Sequence, residues 1–555
     1  MREMATNVWQ GLWHSHRQTK NLLNVFAYKK NSKVVKENLH TKGASQDAPQ
    51  MPQEPLNKEH RQAYSKAQLI GLILGPLLFV LTMFFFSPEG MSPEAKAVLA
   101  VTLWVATWWI TEAIPIPVTS LLPIFLLPVT GALDADTVTS AYGDDIIFLF
   151  LGGFFIATAM EKWNLHRRMA LAIIAFIGTS TQRILLGFMV ATAFLSMWVS
   201  NTAAVMMMIP MGLAITAQVA SALKGRPEER DLPKFEKALI FGIGYAGTIG
   251  GLGTLIGTPP NIILAAQIKQ LFDVEISFAG WMMVAVPIVI VLLLFTWIYL
   301  GKFAFKMSIK GLPGGQEVIQ NERKALGKTS FEEKVVAAVF AFAAFMWITR
   351  EFIWISIIPG LKDGMIAIIS MALLFVIPAS KKYGTRILDW KDSKEIPWGV
   401  LLLFGGGLAI AAGFRQTGLS EWIGTQLTFF DSLNLIAIIA LSSLLVLVLT
   451  EFTSNTATAT MILPVLAALA VSLNIHPFAL MVPAAMAANC AFMLPVGTPP
   501  NAIIFGTGKL RIIEMVRVGF IINIFVLVLI IMATYYLLPL FWGIDLHVVP
   551  LEFIK

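Results

Sequence analysis

Apolar stretches of about 20 residues, separated by short polar or charged segments, follow one another along the chain from residue 67 onward. An α-helix needs about that length to cross the hydrocarbon core of a bilayer. Nine uninterrupted spans are predicted at 67–86, 95–113, 115–131, 145–162, 278–300, 335–358, 364–380, 397–413 and 516–541. With two further spans that are interrupted, the pattern predicts an all-α polytopic membrane protein of about 11 transmembrane helices.

Two small polar clusters interrupt the apolar sequence, and each occurs twice in the same order. Ser-Asn-Thr stands at 200–202 and 454–456, and Gly-Thr-Pro-Pro-Asn stands at 257–261 and 497–501. Such residues break helical hydrogen bonding and expose backbone groups that lipid cannot satisfy, so they are tolerated only where they line a protein site or cavity. The repetition predicts two copies of one structural unit, each contributing a polar site.

The spacing supports this repeat. Ser454 follows Ser200 by 254 residues, and Gly405 follows Gly152 by 253 residues. The paired glycines around these last two positions predict close helix packing rather than ligand binding. A charged segment at 224–237 accounts, as a loop insertion, for the greater length of the first copy between its clusters.

The distribution of charge predicts the topology. Residues 1–66 carry 11 Lys and Arg against 5 Asp and Glu, which predicts a cytoplasmic basic tail, more in keeping with a solvated segment than with a surface helix. If 184–223 crossed the membrane once, the basic segment that follows it would lie outside. We therefore interpret 184–223 as a re-entrant hairpin with Ser-Asn-Thr at its tip.

The same reasoning gives the domain organisation, because an odd number of crossings separates the two copies and inverts the second. The predicted parts are N-terminal transmembrane helices at 67–113, a first inverted repeat at 114–300, a cytoplasmic loop at 301–334, a second inverted repeat at 335–545 and an external C-terminal tail at 546–555. Hairpin 184–223 and broken helix 236–272 in the first repeat correspond to hairpin 433–471 and broken helix 477–510 in the second. Inverted repeats with broken helices are typical of secondary transporters, which predicts scaffold and transport domains.

Composition limits the chemistry of the clusters. The chain is 56% hydrophobic and 14% charged, with a mean hydropathy of +0.72, and Cys490 is its only cysteine. The clusters offer hydroxyl, amide and carbonyl oxygens but no His or Cys, which favours a hard monovalent cation such as sodium over a transition metal. Half-helix N-termini at the same breaks attract anions, so the pattern predicts an anionic substrate held together with sodium ions.

These motifs also carry a resemblance to a known family. Ser-Met-Trp-Val-Ser-Asn-Thr at 196–202, Thr-Glu-Phe-Thr-Ser-Asn-Thr at 450–456 and both Gly-Thr-Pro-Pro-Asn segments resemble the divalent anion/sodium symporter family, the sodium-dependent di- and tricarboxylate carriers. The resemblance covers about residues 67–545. It implies a first sodium site at Ser196, Ser200, Asn201 and Gly257, and a second at Thr450, Thr453, Asn455 and Gly497. It implies that the substrate is bound by Asn201, Thr202, Thr258, Asn455, Thr456 and Thr498.

The resemblance further implies symport of succinate, malate, fumarate or citrate into the cytoplasm by an elevator-type alternating-access mechanism. Sodium would be the coupling ion, without an organic cofactor. The expected assembly is a homodimer in membrane lipid, with no nucleic-acid partner. The expected location is a plasma or inner membrane, with the N-terminus cytoplasmic and the C-terminus external.

The sequence leaves other functions open. Within the family, a sodium-independent dicarboxylate exchanger or a sulfate carrier remains an alternative, although the sulfate branch often has large soluble insertions that are absent here. A membrane-embedded enzyme is disfavoured, because the sequence shows no paired carboxylates, no intramembrane metal set and no Ser/His dyad. An open channel is also disfavoured, because inverted broken helices suit alternating access.

Three further residues are candidates for a role outside the two clusters. Glu451 precedes the second Ser-Asn-Thr, and an intramembrane charge is a candidate for function. Its counterpart in the first copy is Met197, which favours a structural hydrogen-bonding role over proton coupling. His166 and His476 have no partner histidine nearby in sequence and are predicted to be structural or interfacial.

Overall fold

The structure is a computed structural model that describes residues 64–178, 180–306, 315–380, 386–427 and 432–553. The predicted cytoplasmic tail therefore lies almost entirely outside the described residues. Within them the secondary structure is helical. Of these residues, nine helices are long and apolar enough to cross a membrane, and four shorter apolar helices accompany them. This confirms an all-α polytopic membrane protein, whereas the number of about 11 spans and the inverted repeat stay predictions.

The helices of the first half are α1 (Lys66–Phe85), α2 (Pro93–Thr111), α3 (Ile116–Thr119), α4 (Leu122–Val129), α5 (Ala135–Ser140), α6 (Asp145–Lys162), α7 (Leu165–Ile177), α8 (Thr181–Ser196), α9 (Asn201–Leu223), α10 (Leu232–Gly251), α11 (Pro259–Phe272) and α12 (Phe278–Ile298). Those that follow are α13 (Gly315–Ala325), α14 (Phe331–Thr349), α15 (Ile355–Ile357), α16 (Asp363–Val376), α17 (Trp398–Gln416), α18 (Leu419–Gln426), α19 (Leu435–Phe452), α20 (Asn455–Ser472), α21 (Phe478–Ala488), α22 (Pro499–Gly506) and α23 (Ile512–Trp542). Short π-helical segments extend α12 and α14.

Helices begin and end close to the bounds predicted for the hairpins and broken helices, whereas re-entry into the membrane stays a prediction. The first hairpin is α8 and α9 and the second is α19 and α20, each with its Ser-Asn-Thr at the turn. The first broken helix is α10 and α11, and the second is α21 and α22. Each second half begins with Pro-Pro, because proline has no N–H to leave unpaired in the first helical turn and its φ is already helical.

Two predicted elements differ from the structure. The single span predicted at 115–131 is two short helices, α3 and α4, because Pro123 has no N–H to bond to the preceding turn. The segment 301–334, predicted as a loop, contains α13, whose Glu, Gln, Lys, Arg and Ala residues are good helix formers. Glu322 of that helix forms an ion pair with Arg167 of α7.

The C-terminal segment 546–555 was predicted as a tail, but its described part packs against the protein. The main-chain oxygen of Leu546 accepts a hydrogen bond from the N–H of His476, and the Phe553 ring contacts the rings of Phe272 and Phe478. Burial of these apolar groups explains why the segment is ordered against the bundle rather than extended into solvent.

The paired glycines permit close helix packing, as predicted. A Cβ atom at Gly152 would lie 2.6 Å from main-chain atoms of Ala367 in α16. A Cβ atom at Gly406 would lie 2.5 Å from the main-chain oxygen of Ser120, beside α3. Side chains at either position would push these helices apart.

His476 lies in the turn between α20 and α21 and is buried. Its Nδ1 accepts a hydrogen bond from the N–H of Phe478, and its ring packs against the rings of Phe478 and Phe553. Burial lowers its pKa from 6.5 to about 4, although the Asp545 carboxylate raises it slightly. The histidine therefore stays neutral at pH 7 as a structural residue.

This burial predicts a pH-dependent stability. The unfolded chain binds a proton at His476 below about pH 6.5 while the folded protein does not, so stability falls as pH drops toward 4. We expect the free energy of unfolding of the wild type to fall by about 2 kcal/mol between pH 7 and pH 5 because of His476. His476→Asn, whose side-chain oxygen can accept the same N–H, should not show this decrease. Thermal unfolding in detergent measures it, with exposed His547→Asn as the matched control. Equal pH profiles for His476→Asn and the wild type would contradict this prediction.

Candidate functional site

The tip of the first hairpin brings two predicted ligands together. Ser196 is buried at the end of α8, and its hydroxyl oxygen lies 2.6 Å from Asn201 Oδ1 and 2.6 Å from the main-chain oxygen of Gly247 in α10. Ser200 is exposed, and its side chain caps α9 by accepting the N–H of Ala203. The hydroxyl of Ser196 and the amide of Asn201 thus meet against the broken helix.

Gly257 lies in the same group of residues. A Cβ atom at Gly257 would lie 2.4 Å from the main-chain oxygen of Gly251, and a Cβ atom at Gly251 would lie 2.5 Å from Asn201 Oδ1. The hairpin tip therefore packs directly on the helix break. The structure brings Ser196, Asn201 and Gly257 into one group, with Ser200 at its exposed margin.

The second cluster has the same arrangement. Thr450 is buried, with its hydroxyl oxygen 2.6 Å from the main-chain oxygen of Ala488. The side-chain amide of Asn455 forms hydrogen bonds with the surrounding oxygens when its nitrogen, rather than its oxygen, faces Thr450. It then donates to Thr450 Oγ1 at 2.6 Å and to the main-chain oxygens of Gly497 and Ala488 at 3.2 Å each. Thr450, Asn455 and Gly497 therefore converge as their counterparts do.

Thr453 makes the second cluster richer in hydroxyl groups than the first. Its hydroxyl donates to the main-chain oxygen of Leu449 at 2.7 Å and pairs with Thr458 Oγ1 at 2.6 Å. The corresponding residues of the first copy, Val199 and Ala204, are apolar. The two clusters therefore have the same arrangement of residues but differ in the number of hydroxyl groups.

A buried hydrogen bond joins the two broken helices. The hydroxyl of Thr258 donates to Asn489 Oδ1 at 2.6 Å, and the amide of Asn489 donates to the main-chain oxygen of Thr248 at 3.0 Å. Close by, the buried Tyr245 hydroxyl donates to the main-chain oxygen of Phe492 at 2.8 Å. These buried hydrogen bonds thus connect the first helix break with the second.

The remaining predicted substrate residues lie at helix starts. Thr202 and Thr456 are half-buried in the first turns of α9 and α20. Thr498 is buried, and its hydroxyl accepts the N–H of Asn501 as the cap of α22. Helix N-termini present free N–H groups and a positive dipole end, so this group is suited to an anion.

Sequence reasoning missed the role of the asparagine that ends each Gly-Thr-Pro-Pro-Asn segment. Asn261 and Asn501 are fully buried, and their amide nitrogens donate to main-chain oxygens left unpaired by the helix breaks. The acceptors are Gly251, Leu252 and Thr254 for the first, and Ala491 and Leu494 for the second. These asparagines hold the breaks in shape. Their identical place in both motifs was the available signal.

The donor set can hold a hard cation. Among the residues that the structure describes, no three His, Cys, Asp or Glu side chains are grouped as a metal site. Hydroxyl, amide and main-chain oxygens without such groups are the ligand type that monovalent alkali cations accept.

Comparison with known proteins gives close relatives. The chain is 57% identical over 493 residues to the "Sodium-dependent dicarboxylate transporter SdcS" of Staphylococcus saprophyticus, covering 88% of this chain and 95% of that protein. It is 57% identical over 491 residues to the protein of the same name from Staphylococcus aureus, covering 88% and 94%. These similarities identify a membrane transporter rather than an enzyme.

A solved structure shares the fold at low sequence similarity. MtrF of Neisseria gonorrhoeae has a TM-score of 0.51 at 11% identity, with 84% of this chain and 94% of that chain covered. The family model described as "Sodium:sulfate symporter transmembrane region" matches residues 66–543, which include both hairpins and both helix breaks. Since that match spans most of the sequence, the chain belongs to the sodium:sulfate symporter family, the divalent anion/sodium symporters.

Proposed function

We propose that this protein is a sodium-coupled symporter that carries dicarboxylates such as succinate, malate and fumarate into the cytoplasm. The observation that carries the proposal is the pair of matched oxygen clusters, in which Ser196 and Asn201 correspond to Thr450 and Asn455. The names of the relatives at 57% identity support both sodium as the coupling ion and a dicarboxylate as the substrate.

Each cluster would bind one sodium ion. Ser196, Ser200, Asn201 and Gly257 would provide the first site, and the second would be provided by Thr450, Thr453, Asn455 and Gly497. The contacts among Ser196, Asn201 and Gly257, and among Thr450, Asn455 and Gly497, support this assignment. Their hydroxyl, amide and carbonyl oxygens would replace the hydration shell of the ion.

The substrate would bind between the clusters. Asn201, Thr202 and Thr258 would contact one carboxylate, and Asn455, Thr456 and Thr498 the other. Their side chains are neutral, so the two sodium ions and the helix N-termini would supply the positive field that a dianion needs. This dependence on the ions is the physical basis of coupling, since the substrate would bind weakly to a site without sodium.

Transport would follow an elevator-type movement. The bonds from Thr258 to Asn489 and from Tyr245 to Phe492 cross between the repeats, which supports the hairpins and broken helices moving as one transport domain. The remaining helices would form the scaffold of a homodimer in the membrane. The N-terminus would be cytoplasmic and the C-terminus external, as the charge distribution predicts.

Radiolabelled succinate uptake into proteoliposomes tests the proposal. We expect uptake to require an inward sodium gradient, to fail with potassium, and to be inhibited by excess malate or fumarate. Inhibition by citrate or sulfate, tested in the same panel, would extend the substrate class to tricarboxylates or sulfate. Succinate exchange without sodium would show an exchanger and contradict the proposal, as would the absence of transport under any cation gradient.

A further inference from the structure

Glu451 is a buried carboxylate with a complete set of neutral hydrogen-bond donors. It lies in the last turn of α19, and its side chain is fully buried. Its oxygens accept the N–H groups of Phe492, Met493 and Leu494 at 2.9–3.2 Å. The amide nitrogen of Asn523 in α23 donates to Oε1 at 2.7 Å. The carboxylate therefore fixes the chain between α21 and α22, where the second helix is broken.

These partners do not neutralise the carboxylate. None of the ion pairs among the described residues includes Glu451. Its position in the last turn of a helix also sets its negative charge against the negative end of the helix dipole. An uncompensated charge is costly to bury, so a positive ion nearby would lower the free energy of this region.

The second proposed sodium site lies directly beside this charge. Thr450 precedes Glu451 in α19, and a Cβ atom at Gly497 would lie 3.3 Å from Glu451 Oε2. The main-chain oxygen of Gly497 in turn contacts the amide of Asn455. Three of the four proposed ligands of the second sodium, Thr450, Asn455 and Gly497, thus lie close to the Glu451 carboxylate or to one another.

The first cluster has no equivalent charge. Met197 occupies the corresponding position, and its main-chain oxygen accepts the hydroxyl of Thr254 at 2.5 Å. A neutral hydrogen bond therefore joins the first hairpin tip to its helix break, where the second cluster uses a carboxylate. The two proposed sodium sites differ by one formal charge.

We propose that Glu451 is the fixed negative charge of the second sodium site and a positioning residue for its ligands. It holds the break that carries Gly497 through three main-chain N–H groups, and it attracts the sodium ion electrostatically without occupying a ligand position. The second cluster accordingly binds sodium more tightly than the first. This inference rests on the proposed function, because it assigns affinity to a sodium site proposed above.

The test is the sodium dependence of succinate uptake by Glu451→Gln in proteoliposomes. A charge a few ångströms from an ion in the protein interior is worth at least about a tenfold change in affinity. We therefore expect the sodium concentration for half-maximal uptake to rise at least about tenfold in Glu451→Gln. The uptake rate at saturating sodium should fall much less. An unchanged half-maximal sodium concentration would overturn the proposal.

Two further variants separate charge from structure. Asn523→Ala removes one hydrogen bond to the carboxylate but keeps the charge, so its half-maximal sodium concentration should stay within about threefold of the wild type. Glu451→Asp keeps the charge but loses reach to the main-chain N–H groups, and it should show the same modest change even if Glu451→Gln cannot be recovered from the membrane. A rise of more than tenfold in the half-maximal sodium concentration of Glu451→Asp would show that the role of Glu451 is purely structural. Sodium-independent uptake by the wild type would instead refute the proposed function.

Discussion

Replacing Asn201 or Asn455 with alanine is expected to lower sodium-coupled succinate uptake at least about a hundredfold. Each amide lies at a hairpin tip, beside the hydroxyl of Ser196 or Thr450, and is proposed to contact both a sodium ion and the substrate. Loss of a ligand shared by ion and substrate would weaken both binding events, and buried polar partners would be left unsatisfied. Initial uptake rates in proteoliposomes, normalised to reconstituted protein, measure the effect.

Asn321→Ala is the matched control, because Asn321 is exposed on α13, away from the hairpin tips. Its uptake should equal that of the wild type. Gel filtration in detergent should show that all three variants remain folded. Wild-type transport by either hairpin-tip variant would refute the site roles proposed for these asparagines.

Gly257→Ala is expected to abolish sodium-coupled uptake, whereas Gly506→Ala should leave it unchanged. A Cβ atom at Gly257 would lie 2.4 Å from the main-chain oxygen of Gly251, a contact that forces the backbone of the break to move. No atom lies within 4 Å of a Cβ at Gly506, which is also in the broken-helix unit of its repeat. The pair therefore compares the same substitution with and without a clash at a proposed sodium ligand.

The readouts are the uptake rate and the sodium-induced increase in melting temperature of the purified protein. Gly257→Ala should lose most of that increase, because the substitution displaces the main-chain oxygen of residue 257, which is a proposed sodium ligand. Gly506→Ala should keep the increase. If Gly257→Ala keeps wild-type uptake and sodium stabilisation, the position of the first sodium site is wrong.

The hairpins and helix breaks were predictable because they depend on local chemistry. Pro259 and Pro499 can begin a helix but not continue one, and the Ser-Asn-Thr segments contain residues that favour helix caps over helix interiors. Their place inside long apolar stretches therefore predicted breaks within a few residues of those in the structure. Helix α13 was missed because its sequence is polar, and the prediction relied on apolar length.

The partners of Glu451 and Asn489 could not be predicted, because they are distant in sequence. Glu451 contacts Asn523, which is 72 residues away, and Asn489 contacts Thr258, which is 231 residues away. The sequence marked Glu451 as an isolated charge in an apolar segment, and its structural hydrogen bonding fits the role favoured from its lack of symmetry. Three main-chain N–H groups bind its carboxylate, and their position depends on the path of the chain between α21 and α22, which the sequence does not reveal.

Binding of succinate to the purified wild-type protein, with sodium or potassium as the only cation, tests the central claim most directly. In this account, both oxygen clusters must hold sodium before a dianion can bind. We therefore expect a measurable calorimetric binding signal in sodium and none in potassium. The same titration of Asn201→Ala should show no signal in either salt. Succinate binding of equal affinity in sodium and potassium would contradict the account, because the substrate would then not need the ions that the clusters are proposed to hold.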